Sequence, residues 1–134
     1  MDSLQIILAR TSAEFGPANE LVGQLTWSLA KAPDRVELRL FWTTFGVGIG
    51  ESKVIQSATF ERLLTFDSRP FKFKLPPFPY SYRGKLMSLS WVLEATAFPS
   101  RRNVRKHFIM GPEGKEVVLP SAEGEVFDAT RKAA

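Results

Sequence analysis

Met87, Ser88, Leu89, Ser90, Trp91, Val92, Leu93, Glu94, Ala95 is the stretch on which the fold turns. Met87, Leu89, Trp91, Leu93 and Ala95 form one apolar series, with Ser88, Ser90, Val92 and Glu94 in the positions between. A period of two marks a half-buried β-strand, because successive side chains leave opposite faces of the pleat. The same alternation recurs on both sides of this segment. Over residues 20–29, Leu21, Gly23, Leu25, Trp27 and Leu29 share one face while Gln24, Thr26 and Ser28 take the other. Over residues 35–43, Val36, Leu38, Leu40 and Trp42 alternate with Glu37, Arg39, Phe41 and Thr43. Ala32, Pro33 and Asp34 separate these two segments, and the pair is expected to form a hairpin.

A Gly-rich connection follows at residues 45–50, and extended structure resumes over 53–60. Phe71, Phe73 and Leu75 alternate with Lys72 and Lys74, and the strand is expected to stop at Pro76, since proline cannot donate to a ladder. Residues 105–110 predict another strand, closed by Gly111 and Pro112, and residues 117–119 a last short one. No segment carries a sustained helical period, and eighteen Gly and Pro punctuate the chain at short intervals. The fold class is therefore all-β: a two-sheet, immunoglobulin-like sandwich of about eight or nine strands. Residues 1–120 are read as one domain and the polar, charged residues 121–134 as a flexible tail.

Composition narrows the field further. A chain of 134 residues buries roughly two-thirds of its unfolded surface in one core, and eleven Phe with three Trp suit the gap between two sheets. The absence of cysteine removes disulfides, thiolate zinc sites and Cys nucleophiles. The apolar run Leu4, Ile6, Ile7, Leu8 is broken by Gln5, preceded by Asp2 and ended at Arg10, too short for a signal peptide or a membrane span. A cytoplasmic location is the default expectation. A net charge of +4 permits contact with phosphates without requiring it.

Three features together resemble the N-terminal half of the arrestin fold, a β-sandwich family that includes arrestin-domain proteins, retromer-type sorting subunits and bacterial sporulation-control relatives. They are Asn19, Glu20, Leu21, Val22, Gly23; the pattern Phe71-x-Phe73-x-Leu75-Pro76; and the corner Pro79, Tyr80, Ser81, Tyr82, Arg83, Gly84, Lys85 leading into Leu89-x-Trp91-x-Leu93-x-Ala95. Order and spacing agree from Leu4 to Met110. The resemblance implies the fold and a general habit of scaffolding. It does not carry over the charged core between two arrestin domains, because the length accommodates one domain. The paired-lysine phosphate sensor is also missing, since Leu4 to Ala9 is followed by Arg10, Thr11 and Ser12.

The residues that do chemistry in other proteins are sparse. His107 is the only histidine, so any Ser/His/Asp unit would rest on it alone; an exposed strand histidine is the plainer reading. Gly46, Gly48 and Gly50 lack the spacing of a dinucleotide loop and the helix that would follow it. Glu113, Glu116, Glu123 and Glu125 lie in turn and tail segments and read as solvated surface. Pro76, Pro77, Phe78, Pro79 fits Pro-x-x-Pro spacing but reads as a connection, with Phe78 and Tyr80 expected to pack over a sheet end. No catalytic residue, cofactor or metal is expected. The densest basic group is Arg101, Arg102, Arg105 and Lys106, either a charge-protected edge strand or a partner-binding surface. The function expected is a non-enzymatic protein-interaction or scaffold module with a protein partner, a second copy of the chain included. A nucleic-acid or anionic-surface binder acting through the basic strand is the alternative.

Overall fold

The computed structural model describes residues 2–10, 14–48, 50–84 and 86–118, so the tail expected at 121–134 lies outside the described residues. Among the described residues there are ten strands and one 3-10 turn, Pro112–Gly114. The smaller sheet has β3 (Glu20–Ser28) in its middle, flanked by β1 (Ser3–Leu8) and β6 (Phe66–Lys74), both antiparallel to it. In the larger sheet, β8 (Met87–Phe98) runs antiparallel to β4 (Arg35–Gly46) through twelve residue pairs. β5 (Ser52–Phe60) flanks β4. The other side of β8 is shared, first by β7 (Tyr82–Arg83) and then by β9 (Arg102–Met110). Two short strands extend this side in parallel: β2 (Glu14–Phe15) along β9 and β10 (Val117–Val118) along β7.

The alternation read from the sequence places the core. Leu21, Leu25 and Trp27 of β3 and Leu4 and Ile6 of β1 are buried in one cluster with Val36, Leu38 and Leu40 of β4 and Leu89, Trp91 and Leu93 of β8. Gly23 interrupts the apolar face of β3 because the Phe71 ring lies over it. A Cβ there would strike that ring and the Ile7 carbonyl. At the far end of β4, Gly46 takes φ 141°, and a Cβ would collide with the Leu86 carbonyl. The β4–β5 turn is thereby held against the start of β8, with the Val47 N–H donating to the Leu86 carbonyl at 2.8 Å.

Three expectations need correction. β3 and β4 do not form a hairpin: β3 pairs with β1 and β6, β4 with β5 and β8, and residues 29–34 cross from one sheet to the other. Two strands that each carry a large apolar face bury more of it facing each other across the gap than lying side by side, and a six-residue link is longer than a tight hairpin turn. β6 begins at Phe66, not at Phe71, and accommodates Pro70 because it is an edge strand with one side unpaired. Phe78 and Tyr80 do not pack over the sheet end; they are 70% and 37% exposed, while Leu75 and Ser81 on either side of them are buried.

The 61–65 connection closes over Trp27 through a relay of hydrogen bonds. The Trp27 indole N–H donates to the Leu64 carbonyl at 2.8 Å, and the Leu64 N–H donates to the Asp67 carboxylate at 3.3 Å. Partial burial opposes ionisation of Asp67, but the Ser68 and Leu64 N–H groups and the Arg69 guanidinium outweigh it and hold the carboxyl below its ordinary range. A carboxyl depressed in the folded state contributes stability above its unfolded pKa and loses it as pH falls through the folded value. Asp67→Asn is therefore expected to lower stability at neutral pH and to flatten its decline between about pH 5 and pH 2. Urea denaturation across that range measures this; an acid limb identical to wild type removes Asp67 from the relay.

Candidate functional site

Residues 75–84, which follow β6, form the corner that organises one side of the sandwich. Ser81 is the one buried polar side chain among the described residues, at 1% exposure. Its hydroxyl accepts the Met110 N–H at 3.0 Å, its own N–H donates to the Met110 carbonyl at 2.7 Å, and its carbonyl accepts the Val117 N–H at 2.9 Å. One serine thus ties the corner to the end of β9 and the start of β10. The Pro79 carbonyl accepts the Trp91 indole N–H at 2.8 Å, so the largest side chain of β8 is satisfied by the same corner.

A cleft of about 460 Å³ opens where the partner of β8 changes from β7 to β9. Leu89, Phe108 and Ile109 line it, with Ser90, His107, Glu14 and Glu116 around them. His107 Nδ1 lies 3.0 Å from Ser90 Oγ, so the sequence's only histidine does meet a serine. Among the described residues, however, no carboxylate hydrogen-bonds the imidazole, and Glu116 is engaged with Arg83 at 3.5 Å. A base without an orienting acid, on an exposed strand face, is not an assembled nucleophile unit.

The four cations of the basic segment are divided by the pleat of β9. Arg101 sits in the turn before it, at φ 65°. Arg102 and Lys106 oppose Ala97 and Leu93 of β8 and so project to the inner side of the edge. Arg105 opposes Glu94 on the outer side, bonded to its carboxylate at 2.8 Å and lying 5.6 Å from the Phe41 ring centroid. With Glu94 it shields the apolar outer-face pair Phe41 and Val92, which are buried although they point away from the core. Arg102 reaches Asp2, at the head of β1, at 3.8 Å. Two of the four cations are thus neutralised locally, and the four do not form the continuous stripe that tracks a phosphate backbone.

The geometry instead brings two strand edges together. β1 pairs only with β3, and along 102–108 β9 pairs only with β8, so one side of each is unpaired among the described residues. Between them lies a groove of about 230 Å³, lined by Gln5, Ile6 and Ile7 of β1 and Val104, Arg105 and Lys106 of β9. Sequence reasoning found the cations but not this seam. The alternation of residues 102–106, continued from Phe108 and Met110, was the signal that separates Lys106 from Arg105.

No protein-family model matches the sequence, and no curated protein does. Among solved structures, the chain is similar to Spo0M, a sporulation control protein from Bacillus subtilis, at 16% identity and a TM-score of 0.61. The match covers 83% of this chain and 49% of that one, so the chain spans about half the length of Spo0M. A β-glucosidase from Listeria innocua matches at 11% identity and a TM-score of 0.44, over 88% of this chain and 17% of the enzyme. The fold of this chain is the arrestin-like β-sandwich, as the three sequence features imply.

Because Ser81 satisfies a buried backbone N–H, Ser81→Ala leaves the Met110 donor unpaired and is expected to cost about 1–3 kcal/mol. The denaturation midpoint reads this directly, and a loss well under about 0.5 kcal/mol would deny the hydroxyl that role.

Proposed function

We propose that residues 1–120 form a cytoplasmic protein-interaction module that binds an extended segment of a partner protein over the seam where the open edges of β1 and β9 approach each other. The observation that carries this reading is the adjacency of two unpaired strand edges flanking a groove with basic residues on one wall. Such edges offer unpaired N–H and C=O groups, and a strand laid against them gains main-chain hydrogen bonds whatever its sequence. Ile7, half exposed on β1, supplies apolar contact. Lys106 and Arg101 make no ion pair among the described residues, so the favoured segment carries carboxylates opposite them. The function is binding, not turnover: the cleft at His107 lacks the orienting acid that nucleophilic chemistry needs. Among the described residues no helix is long and apolar enough to cross a membrane.

Affinity capture from the source cells after nuclease treatment tests this, with wild type compared against Arg101→Glu/Lys106→Glu. Reversing two charges that face a complementary segment is expected to weaken retention of a defined protein about tenfold or more. Raising salt should weaken it in the wild type only. Equal retention by the double variant places the contact elsewhere. Recovery of nucleic acid alone, lost on nuclease treatment, makes the basic strand a phosphate binder instead.

A further inference from the structure

The edges of the two sheets are not protected alike. β6 carries Asp67, Arg69, Pro70, Lys72 and Lys74 along its length, the charges and proline that discourage pairing with another chain. β9 carries Arg102, Arg105 and Lys106, and has β1 beside it. β5 ends the strand order of the larger sheet, yet its nine residues Ser52, Lys53, Val54, Ile55, Gln56, Ser57, Ala58, Thr59 and Phe60 contain one charge and no proline or glycine. Its guards lie in its first half, Lys53 and a bulge where the pairing with β4 shifts between Leu40 and Phe41 and leaves Ile55 as the extra residue. Beyond the bulge, residues 56–60 follow β4 in regular register.

We propose that this regular half of β5 is a self-association edge, at which two copies of the chain pair antiparallel over residues 56–60 about a two-fold axis at Ala58. The choice of a second copy rests on what that axis brings together. It sets Ser57 against Thr59 of the other copy on the outer face, and Gln56 against Phe60 on the inner face, so the pleats of both strands match. In the parent sheet, Thr59 lies opposite Glu37 and Ser57 opposite Arg39. The row across the dimer therefore reads Glu37, Thr59, Ser57, Arg39, with the acid from one copy and the base from the other. The symmetry makes this row twice.

The ends of the row are about 14 Å apart, three strand spacings. Glu37 is bonded to Arg35 of its own strand at 3.2 Å, and side chains stand off the sheet, so Arg39 of the other copy attracts this carboxylate across the two short hydroxyl side chains without a direct contact. Arg39 is exposed and makes no ion pair among the described residues. On the inner side Ile55, Ala58 and Phe60 are partly buried hydrophobics at the margin of the core, and the second copy covers their open flank. A parallel arrangement about a two-fold axis would turn one sheet over and set the inner face of one strand beside the outer face of the other, a mismatch that the antiparallel arrangement avoids. Five paired residues make a small interface, so the dimer belongs to the weak, reversible class.

This extends the interaction-module reading to a second strand and does not depend on the seam. Sedimentation velocity of the full chain, from on the order of 10 μM to several hundred micromolar at low salt, tests it. The expected result is a mean mass that rises with concentration from 15.1 kDa towards twice that value. Ser57→Lys, which places a charge in the middle of the pairing, is expected to hold the chain monomeric. Arg39→Glu is expected to weaken association about threefold, and the swap Glu37→Arg/Arg39→Glu to restore part of that loss. The swap keeps the test decisive should Ser57→Lys disturb the fold. Arg101→Glu/Lys106→Glu should leave the dimer intact, which separates failure of the edge from failure of the seam. A single 15.1 kDa species at every concentration overturns the proposal. So does a dimer indifferent to both Ser57→Lys and Arg39→Glu.

Discussion

The antiparallel ladder between β4 and β8 is the constraint on which the rest of the molecule depends. It pairs Arg35 with Phe98 at one end and Gly46 with Met87 at the other, without a break. A one-residue slip of β4 along β8 would turn Leu38 and Leu40 to solvent and bring Glu37 and Arg39 into the gap between the sheets. Everything that docks on this pair inherits its facing. β9 reads its inside and outside from β8, β5 reads its own from β4, and the smaller sheet packs against the apolar face that the ladder presents. Ser81 then locks the corner to the ladder's neighbour, where a hydroxyl buried among apolar side chains is tolerated only because it has a partner.

How much of this is legible in the sequence follows from the same physics. β8, β4 and β3 each carry three or four large apolar residues at period two, and their existence and facing could be read directly. Which strand lay beside which could not: β3 and β4 are consecutive, similar in pattern and separated by turn residues, and the sequence is equally compatible with a hairpin and with a crossing between sheets. β2, β7 and β10 have two residues each and no periodicity to detect. They exist because Ser81 and the ends of β8 and β9 offer backbone partners, which is tertiary information. Pro70 masked the first half of β6, since a proline argues against a strand unless the strand is known to lie at an edge.

The basic segment shows a different kind of limit. As a string, Arg101, Arg102, Arg105 and Lys106 form a cluster; as a strand they are sorted by the pleat, with Arg105 spent on Glu94 and Phe41 and Arg102 on Asp2. A charge count cannot distinguish a cation that shields an apolar pair from one that waits for a ligand. The structure gives their places: Arg105 lies across Phe41, whereas Lys106 borders a groove. The apparent polarity of the outer face is similarly misleading: Phe41 and Val92 are as inaccessible as core residues, buried beneath side chains that the sequence presents as surface charge.

A chain that acts by strand addition, as proposed for this one, leaves few motifs in its sequence. Catalysis and metal binding require particular side chains at particular spacings, and those leave a trace in sequence. Strand addition draws its affinity from backbone N–H and C=O groups that every non-proline residue carries. What it requires of sequence is mostly negative: an edge free of proline, of inward charge and of a covering loop. Such a requirement is visible only by comparing the edges of one fold with one another. The contrast between β5, with a single lysine, and β6, with five guarding residues, is therefore more informative about function than any residue in either strand taken alone.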